Sequence, residues 1–280
     1  YKIDHEVLRR LVQELKIPDP INIAVDEKSF QKGHSYVTVV TDCDIQKVIW
    51  VSEGNRKDSL DQFFQILGPE RCAKIKTVSK DLHKAYASSC TEFIPQALQV
   101  ADPFHVVKKL NEVMDNCRKE LSVGSALAVG KRRLIQGLNW VMRYKQENLP
   151  EKHIESLEKL AQVNQPLYLA YLHKESFYEF FTFKPSEVKQ AEKFLVNWIV
   201  DAWKSQLQPL REFGEYIERN TQVILNIIRT GRSSAISEGI NRKIQVIKSM
   251  AYGYRNINYF MLKILQRCGV LGSMWKPANL

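Results

Sequence analysis

Strand-forming sequence is confined to the first hundred residues of this 280-residue chain, and that confinement limits the possible folds sharply. Ile21-Asn22-Ile23-Ala24-Val25 is a short apolar run that ends at Asp26. Ser35 to Thr41 is rich in β-branched residues, and Lys47 to Val51 forms a third run after a connection short enough for a hairpin. Alternating and β-branched runs of this length read as strands, so these three predict an antiparallel meander. Asp58 or Ser59 is the expected cap of a helix carrying Leu60, Phe63, Phe64 and Leu67, which stops at Gly68-Pro69. A fourth strand over Ile75–Ser79 ends at Asp81. A short helix around Lys84–Cys90 then leads to a fifth strand, Ala97–Ala101, that ends at Asp102. A strand reached through a helical crossover normally runs parallel to its predecessor. The order β-β-β-α-β-α-β is that of an α/β, ribonuclease-H-like mixed sheet.

After Phe104 the period changes from two to about 3.6. Val106, Leu110, Val113, Met114 and Cys117 recur at helical spacing. Further helices are expected over Leu134–Tyr144, Ile154–Val163, Leu167–Phe180, Val188–Trp203 and Phe213–Ile228, punctuated by Pro150, Pro166, Pro185 and Pro209. Gly231 interrupts the pattern, and Ser233 or Ser234 is the expected cap of a last helix, Ala235–Ala251. Its Ile236, Ile240, Ile244 and Ile247 form one stripe for the core, leaving Glu238 and Arg242 on the polar side. The predicted organisation is a helical lead-in (1–20), the first part of the sheet core (21–110), a large all-helical insertion (111–230) and C-terminal helices completing the core (231–280).

Charge is distributed unevenly. Residues 1–110 carry 16 basic and 15 acidic side chains, and residues 111–230 carry 17 and 15. Residues 231–280 carry 8 basic side chains against the single acid Glu238, so most of the net +10 lies there. Such a segment suits a polyanionic partner, although basic tails are as often plain solvated faces. No run of about 18 apolar residues is present, so no membrane partner is expected. Five scattered cysteines with no C-x-x-C pair fit neither a disulfide framework nor a zinc knuckle, and suggest a reducing cytoplasm.

Asp26, Asp81 and Glu238 are the candidate site acids. The first and fourth strands of such a sheet lie side by side, so Asp26 and Asp81 come to neighbouring ends. Carboxylates there suit hard divalent cations. Two ions about 3.5–4 Å apart can activate an attacking oxygen and stabilise a leaving one. Spacing alone does not distinguish these acids from turn or helix caps. Their surroundings add more: Asp26 to Tyr36, Val78 to Tyr86, Asp102-Pro103-Phe104-His105, Pro166 to Tyr171, Ser237 to Ile244, and Ala251-Tyr252-Gly253-Tyr254-Arg255-Asn256. Together, in this order, they resemble the DDE transposases of bacterial insertion sequences, ISL-three-type group, over residues 20–268.

The resemblance implies a ribonuclease-H-like core interrupted by a helical insertion, with Asp26, Asp81 and Glu238 as the metal-binding catalytic triad for Mg2+ or Mn2+. Asp102 and His105 match an auxiliary Asp/Cys-x-x-His signature, with helix capping by Asp102 and packing of His105 as the alternative. Asn241 is an auxiliary candidate as a support for the acid, or simply an exposed helix residue. Arg242, Lys243, Lys248 and Arg255 are the expected phosphate contacts. Glu27 is expected to point away from the site. The aromatic run from Phe177 to Phe183 is read as insertion core, with base stacking as its alternative. The implied activity is cleavage at element ends and strand transfer into target double-stranded DNA, by a homodimer or higher oligomer at the bacterial nucleoid. Alternatives are a ribonuclease-H-like nuclease that does not join strands, and an inactive DNA-binding or dimerisation module. Family members begin with zinc-binding and helix-turn-helix segments; none precedes Ile21 here, so this chain is expected to correspond to the catalytic region.

Overall fold

The computed structural model describes residues 2–13, 16–31, 35–82, 84–123, 135, 137–231 and 235–270. The chain divides into two compact units. The first comprises Tyr1–Asp102 with Ser233–Leu280, the second Pro103–Arg232.

In the first unit, α1 (Lys2–Gln13) precedes a five-stranded sheet. Its strands are β1 (Asn22–Gln31), β2 (Ser35–Asp42), β3 (Lys47–Glu53), β4 (Thr77–Lys80) and β5 (Leu98–Ala101), in the order β3-β2-β1-β4-β5. The first three form the expected antiparallel meander, while β4 and β5 add in parallel beside β1. Between strands lie α2 (Lys57–Leu67), the single turn α3 (Pro69–Cys72) and α4 (Lys84–Phe93). The unit closes with α11 (Ala235–Met250) and α12 (Ile257–Cys268).

Strand alternation, shifted by one residue at a bulge around Ile49 in β3, sorts the apolar side chains into two cores. Ile23, Val25, Val40, Ile49 and Val78 bury against Leu60, Phe63, Phe64 and Cys90 from α2 and α4. Phe30, Val37, Val39, Val48 and Val51 point the other way, onto Ile240, Ile244 and Ile247 of α11 and Phe260 and Ile264 of α12. Three members of the isoleucine stripe are therefore core, as their period demanded, while Ile236 at its start is only half-buried. The same alternation puts Asp26 and Lys28 on the face of Phe30, the face that α11 covers.

Two boundaries differ from expectation. β1 does not end at Asp26; it runs on to Gln31, paired with β2, and only its pairing with β4 stops at Val25↔Lys80. Helix α2 starts after Arg56, which makes no side-chain cap, and Asp58 lies inside the first turn with its carboxylate on the Ser59 N–H. The expected caps Ser233 and Ser234 lie outside the described residues, as do Lys32-Gly33-His34 and His83 of the quoted motifs.

The second unit contains α5 (Pro103–Val123), α6 (Glu151–Val163), α7 (Gln165–Phe177), α8 (Val188–Trp203), α9 (Gln208–Arg219) and α10 (Thr221–Thr230). Pro103, Pro166 and Pro209 stand in first turns, where a missing N–H costs nothing. Leu134, the start of one expected helix, is outside the described residues. In the described rest of that stretch Ile135 and Gly137 are helical, a turn follows, and Val141–Arg143 is a 3-10 turn; a second 3-10 turn, Gln146–Asn148, lies just beyond it. Side chains of α7 explain this. The fully buried Lys174 donates to the carbonyls of Met142 (3.2 Å) and Tyr144 (2.6 Å). Glu175 takes the Gln146 N–H at 2.8 Å. The expected single helix Phe213–Ile228 is broken at Asn220, because Asn220 and Thr221 side chains take the carbonyls of Tyr216 and Ile217. Phe177 and Phe180 are fully buried and contact one another, with Trp198 and Phe213 packed on Phe177, so that aromatic run is core. Among the described residues no helix is long and apolar enough to cross a membrane.

Candidate active site

Parallel pairing of β1 with β4 brings two of the candidate acids to adjacent positions. The register ends at Val25↔Lys80, so Asp26 and Asp81 are the next residues on neighbouring strands. From there the partners diverge: β1 continues against β2, while the chain after Lys80 leaves the sheet. A cleft at the end of a parallel pair is where an α/β sheet presents chemistry. Asp81 Oδ1 accepts the Leu82 N–H at 2.6 Å, which fixes the turn leaving β4.

Asp26 is 7% exposed, and a carboxylate so buried needs compensation. Its Oδ1 accepts the Glu27 N–H at 2.7 Å. Its Oδ2 accepts from Lys28 Nζ and from Asn241 Nδ2, each at 2.7 Å. Lys28 follows two residues later on the same face of the strand, as the period of two requires. Asn241 comes from α11, 215 positions along the chain. It stands beside the isoleucine stripe, so packing of Ile240 and Ile244 on the sheet delivers its amide to Asp26. Glu238 lies three residues earlier on the same helix and is half-buried. Residues three apart on a helix are surface neighbours, so Glu238 belongs to the turn that adjoins Asp26. A second tie, Lys248 Nζ to the Ser29 carbonyl at 2.8 Å, holds the far end of α11 along β1.

The opposite side of β1 is occupied differently. Glu27 points away from α11 and accepts from Asn55 Nδ2 at 2.9 Å. Tyr86 of α4 is buried and its hydroxyl meets Thr38 Oγ1 at 3.0 Å. Burial first, then the charges of Glu27, Asp26 and Asp81, push its phenol above the usual range, so it stays protonated. Lys80, 2% exposed beside Asp81, has its ammonium pulled below the ordinary lysine range by burial, with Cys90 and Asp81 opposing.

Asp102 is 5% exposed, gives its N–H to the Lys80 carbonyl at 2.9 Å and stands at the N-cap position before Pro103. His105 lies in the first turn of α5 and belongs to the second unit. Arg242, Lys243 and Arg255 are exposed, while Lys248 is committed to Ser29. Sequence reasoning missed Lys28, Asn55 and Tyr86. Strand period alone would have found Lys28 once β1 was continued past Asp26.

Carboxylate oxygens suit a hard cation, and Asp26 Oδ2 already carries the Lys28 ammonium at 2.7 Å, one position past the end of the pairing with β4. Among the described residues, however, no three His, Cys, Asp or Glu side chains converge closely enough to hold an ion. Asp26 and Asp81 stand just past the end of the β1–β4 pairing, and Glu238 lies one turn from the Asn241 contact on α11.

Comparison with known proteins gives concordant matches. A family model described as a transposase, of the DDE ISL3 type, matches residues 23–264. The transposase for insertion sequence element IS1001 of Bordetella parapertussis is 33% identical over 264 residues, covering 94% of this chain and 64% of that relative. The transposase for insertion sequence element IS1557 of Mycobacterium tuberculosis is 33% identical over 255 residues, covering 84% of this chain and 57% of that relative. The chain thus spans about six-tenths of the length of these curated relatives.

Proposed function

The chain belongs to the ISL3-type DDE transposase family, and from that membership we propose that its first unit cleaves DNA at the ends of a mobile element and transfers the freed strand to target DNA. Asp26, Asp81 and Glu238 serve as the catalytic carboxylates and hold divalent ions, Mg2+ or Mn2+, in two sites. The observation that carries this reading is the Asn241–Asp26 hydrogen bond, which ties the helix of Glu238 to the strand of Asp26 beside Asp81. Bound ions of this kind lower the pKa of an attacking water and stabilise a departing oxygen.

The protein's own residues do the rest. Three donors on Asp26 hold both its oxygens before any substrate arrives, with the Lys28 ammonium standing where a bound ion would take over. Asn241 and Lys28 act as positioning residues for that carboxylate. Glu238 joins the set by turning its side chain toward Asp26 from the adjacent position on α11. Arg242, Lys243 and Arg255 neutralise phosphates beside the reacting bond without reading sequence. Asp102 caps the helix that leaves the core, and His105 stands in its first turn as an auxiliary group. The helical unit is an insertion into the catalytic core, and the active species is a dimer or higher oligomer on DNA at the bacterial nucleoid.

The test uses element-end DNA, Mg2+ or Mn2+ and a plasmid target, with Asp26→Asn, Asp81→Asn and Glu238→Gln beside the parent chain. Loss of cleavage in all three supports the assignment, and cleavage unaffected by all three sinks it. Cleavage without joined plasmid products favours a hydrolytic nuclease on the same scaffold.

A further inference from the structure

Helix α11 ends in a way its sequence should disfavour. The Tyr252 N–H bonds the Ser249 carbonyl at 3.0 Å, and the Gly253 N–H bonds the Lys248 carbonyl at 3.1 Å. This paired pattern is the Schellman termination, whose left-handed position is normally glycine. Here that position is Tyr252, with φ 51°, and Gly253 follows at φ 93°. A bulky aromatic in the left-handed region is strained, and strain of this kind persists where the surroundings enforce it. The strained side chain gains nothing from the fold in return: Tyr252 is 102% exposed.

The surroundings do enforce it. Just before the turn, Lys248 is tied to the Ser29 carbonyl at 2.8 Å. Just after it, the Tyr254 carbonyl accepts from Gln31 Nε2 at 3.0 Å, while its ring packs on Phe260 at 5.1 Å. Both clamps are on β1, the strand of Asp26. Ser29 and Gln31 lie three and five residues past Asp26, about 10–17 Å along a strand. The turn that carries the exposed ring is thus held at a fixed span from the candidate acids, with the exposed cation Arg255 three residues on. Residues 231–280 carry a single acid, so the neighbourhood favours a polyanion.

We propose that Tyr252 is a nucleobase-stacking finger, which seats an unpaired base of the bound DNA strand about three to five nucleotides from the scissile phosphate, at roughly 3.4 Å per nucleotide. Every base has a π-face, so the contact selects an unstacked or frayed base rather than a sequence. The inference rests on the DNA reading above and adds to it a specific ligand and residue.

The test measures binding of a fluorescein-labelled 20-nucleotide dT strand by anisotropy, in low salt without divalent ions. Tyr252→Ala should weaken binding about tenfold, the scale of one lost base–aromatic stack, whereas Tyr252→Phe should stay within about twofold of the parent. Tyr252→Gly separates function from folding: glycine suits the left-handed position, so this variant should unfold at a higher temperature and still lose the binding. Ultraviolet crosslinking of a strand carrying 5-iodouracil should label the peptide that contains Tyr252. Tyr252→Ala binding as tightly as the parent, or Tyr252→Phe failing as badly as alanine, overturns the stacking role while leaving the DNA reading intact. No binding of the parent chain to this strand or to a duplex overturns the DNA reading, and this inference falls with it.

Discussion

Replacing Asn241 with alanine should destabilise the first unit far more than an exposed helix residue would. The amide donates a 2.7 Å hydrogen bond to Oδ2 of a carboxylate that is 7% exposed, so the bond is charge-assisted and shielded from water. Hydrogen bonds to charged groups contribute about 1.5–3 kcal/mol, and alanine's better helix propensity returns only about 0.5 kcal/mol. Lys28 and the Glu27 N–H remain on Asp26, which keeps the cost below that of an unpaired buried charge. The expected loss is therefore about 1–2.5 kcal/mol, or roughly 2–10 °C in melting temperature for units of this size. Urea unfolding in metal-free buffer measures it, and a cycle with Asp26→Asn isolates the pair. A coupling of about 1 kcal/mol or more is expected. Additivity of the two substitutions within about 0.5 kcal/mol would refute the claim that this contact joins α11 to the site strand.

Other consequences concern the second unit and the basic surface. The buried Nε2 of His173 has no partner, its ring stacks on Trp198 at 4.2 Å, and burial, opposed by Asp201, lowers its pKa to about 4. Between pH 6.5 and 4 the unfolded chain binds the proton that the folded one refuses, so stability falls with acidification, by up to about 3 kcal/mol. Acid titration of the melting temperature should flatten in His173→Phe, which keeps the stack. Lys174→Met strands the Met142 and Tyr144 carbonyls and removes the ammonium 2.6 Å from Glu175, a charge contact without hydrogen-bond alignment. A loss of about 3 kcal/mol in denaturant unfolding is expected. For generic duplex DNA, Arg242→Gln and Arg255→Gln should each lower the slope of log affinity against log salt by about one, with sequence preference unchanged. Binding titrations at several salt concentrations read this out directly.

The sheet was legible because its signal is local. The β-branched runs at 35–41 and 47–51 have no helical reading, and the period of the isoleucine stripe in α11 names its buried face without any knowledge of the partner. Asp26 and Asp81 were legible as neighbours once the strand order was inferred. Other features were not, because they depend on contacts distant in sequence. The continuation of β1 through Asp26-Glu27-Lys28 runs against a polar, charged sequence; pairing with β2 holds it, and Phe30 anchors it in the core. The break at Asn220 and the 3-10 turns near Met142 follow from side chains that satisfy backbone groups, which propensity does not register. The helical pattern favours Asn241 as an exposed polar residue over a support for the acid, and only the structure sets its amide on Asp26.

The central claim is that Asp26, Asp81 and Glu238 act together on divalent ions. Titration of the metal-free protein with Mn2+, followed by electron paramagnetic resonance of the free ion, tests it without any DNA. Each of Asp26→Asn, Asp81→Asn and Glu238→Gln should weaken binding at least about tenfold, while Glu53→Gln on the exposed end of β3 should leave it unchanged. Equal Mn2+ binding by the parent and all three site variants would contradict the account.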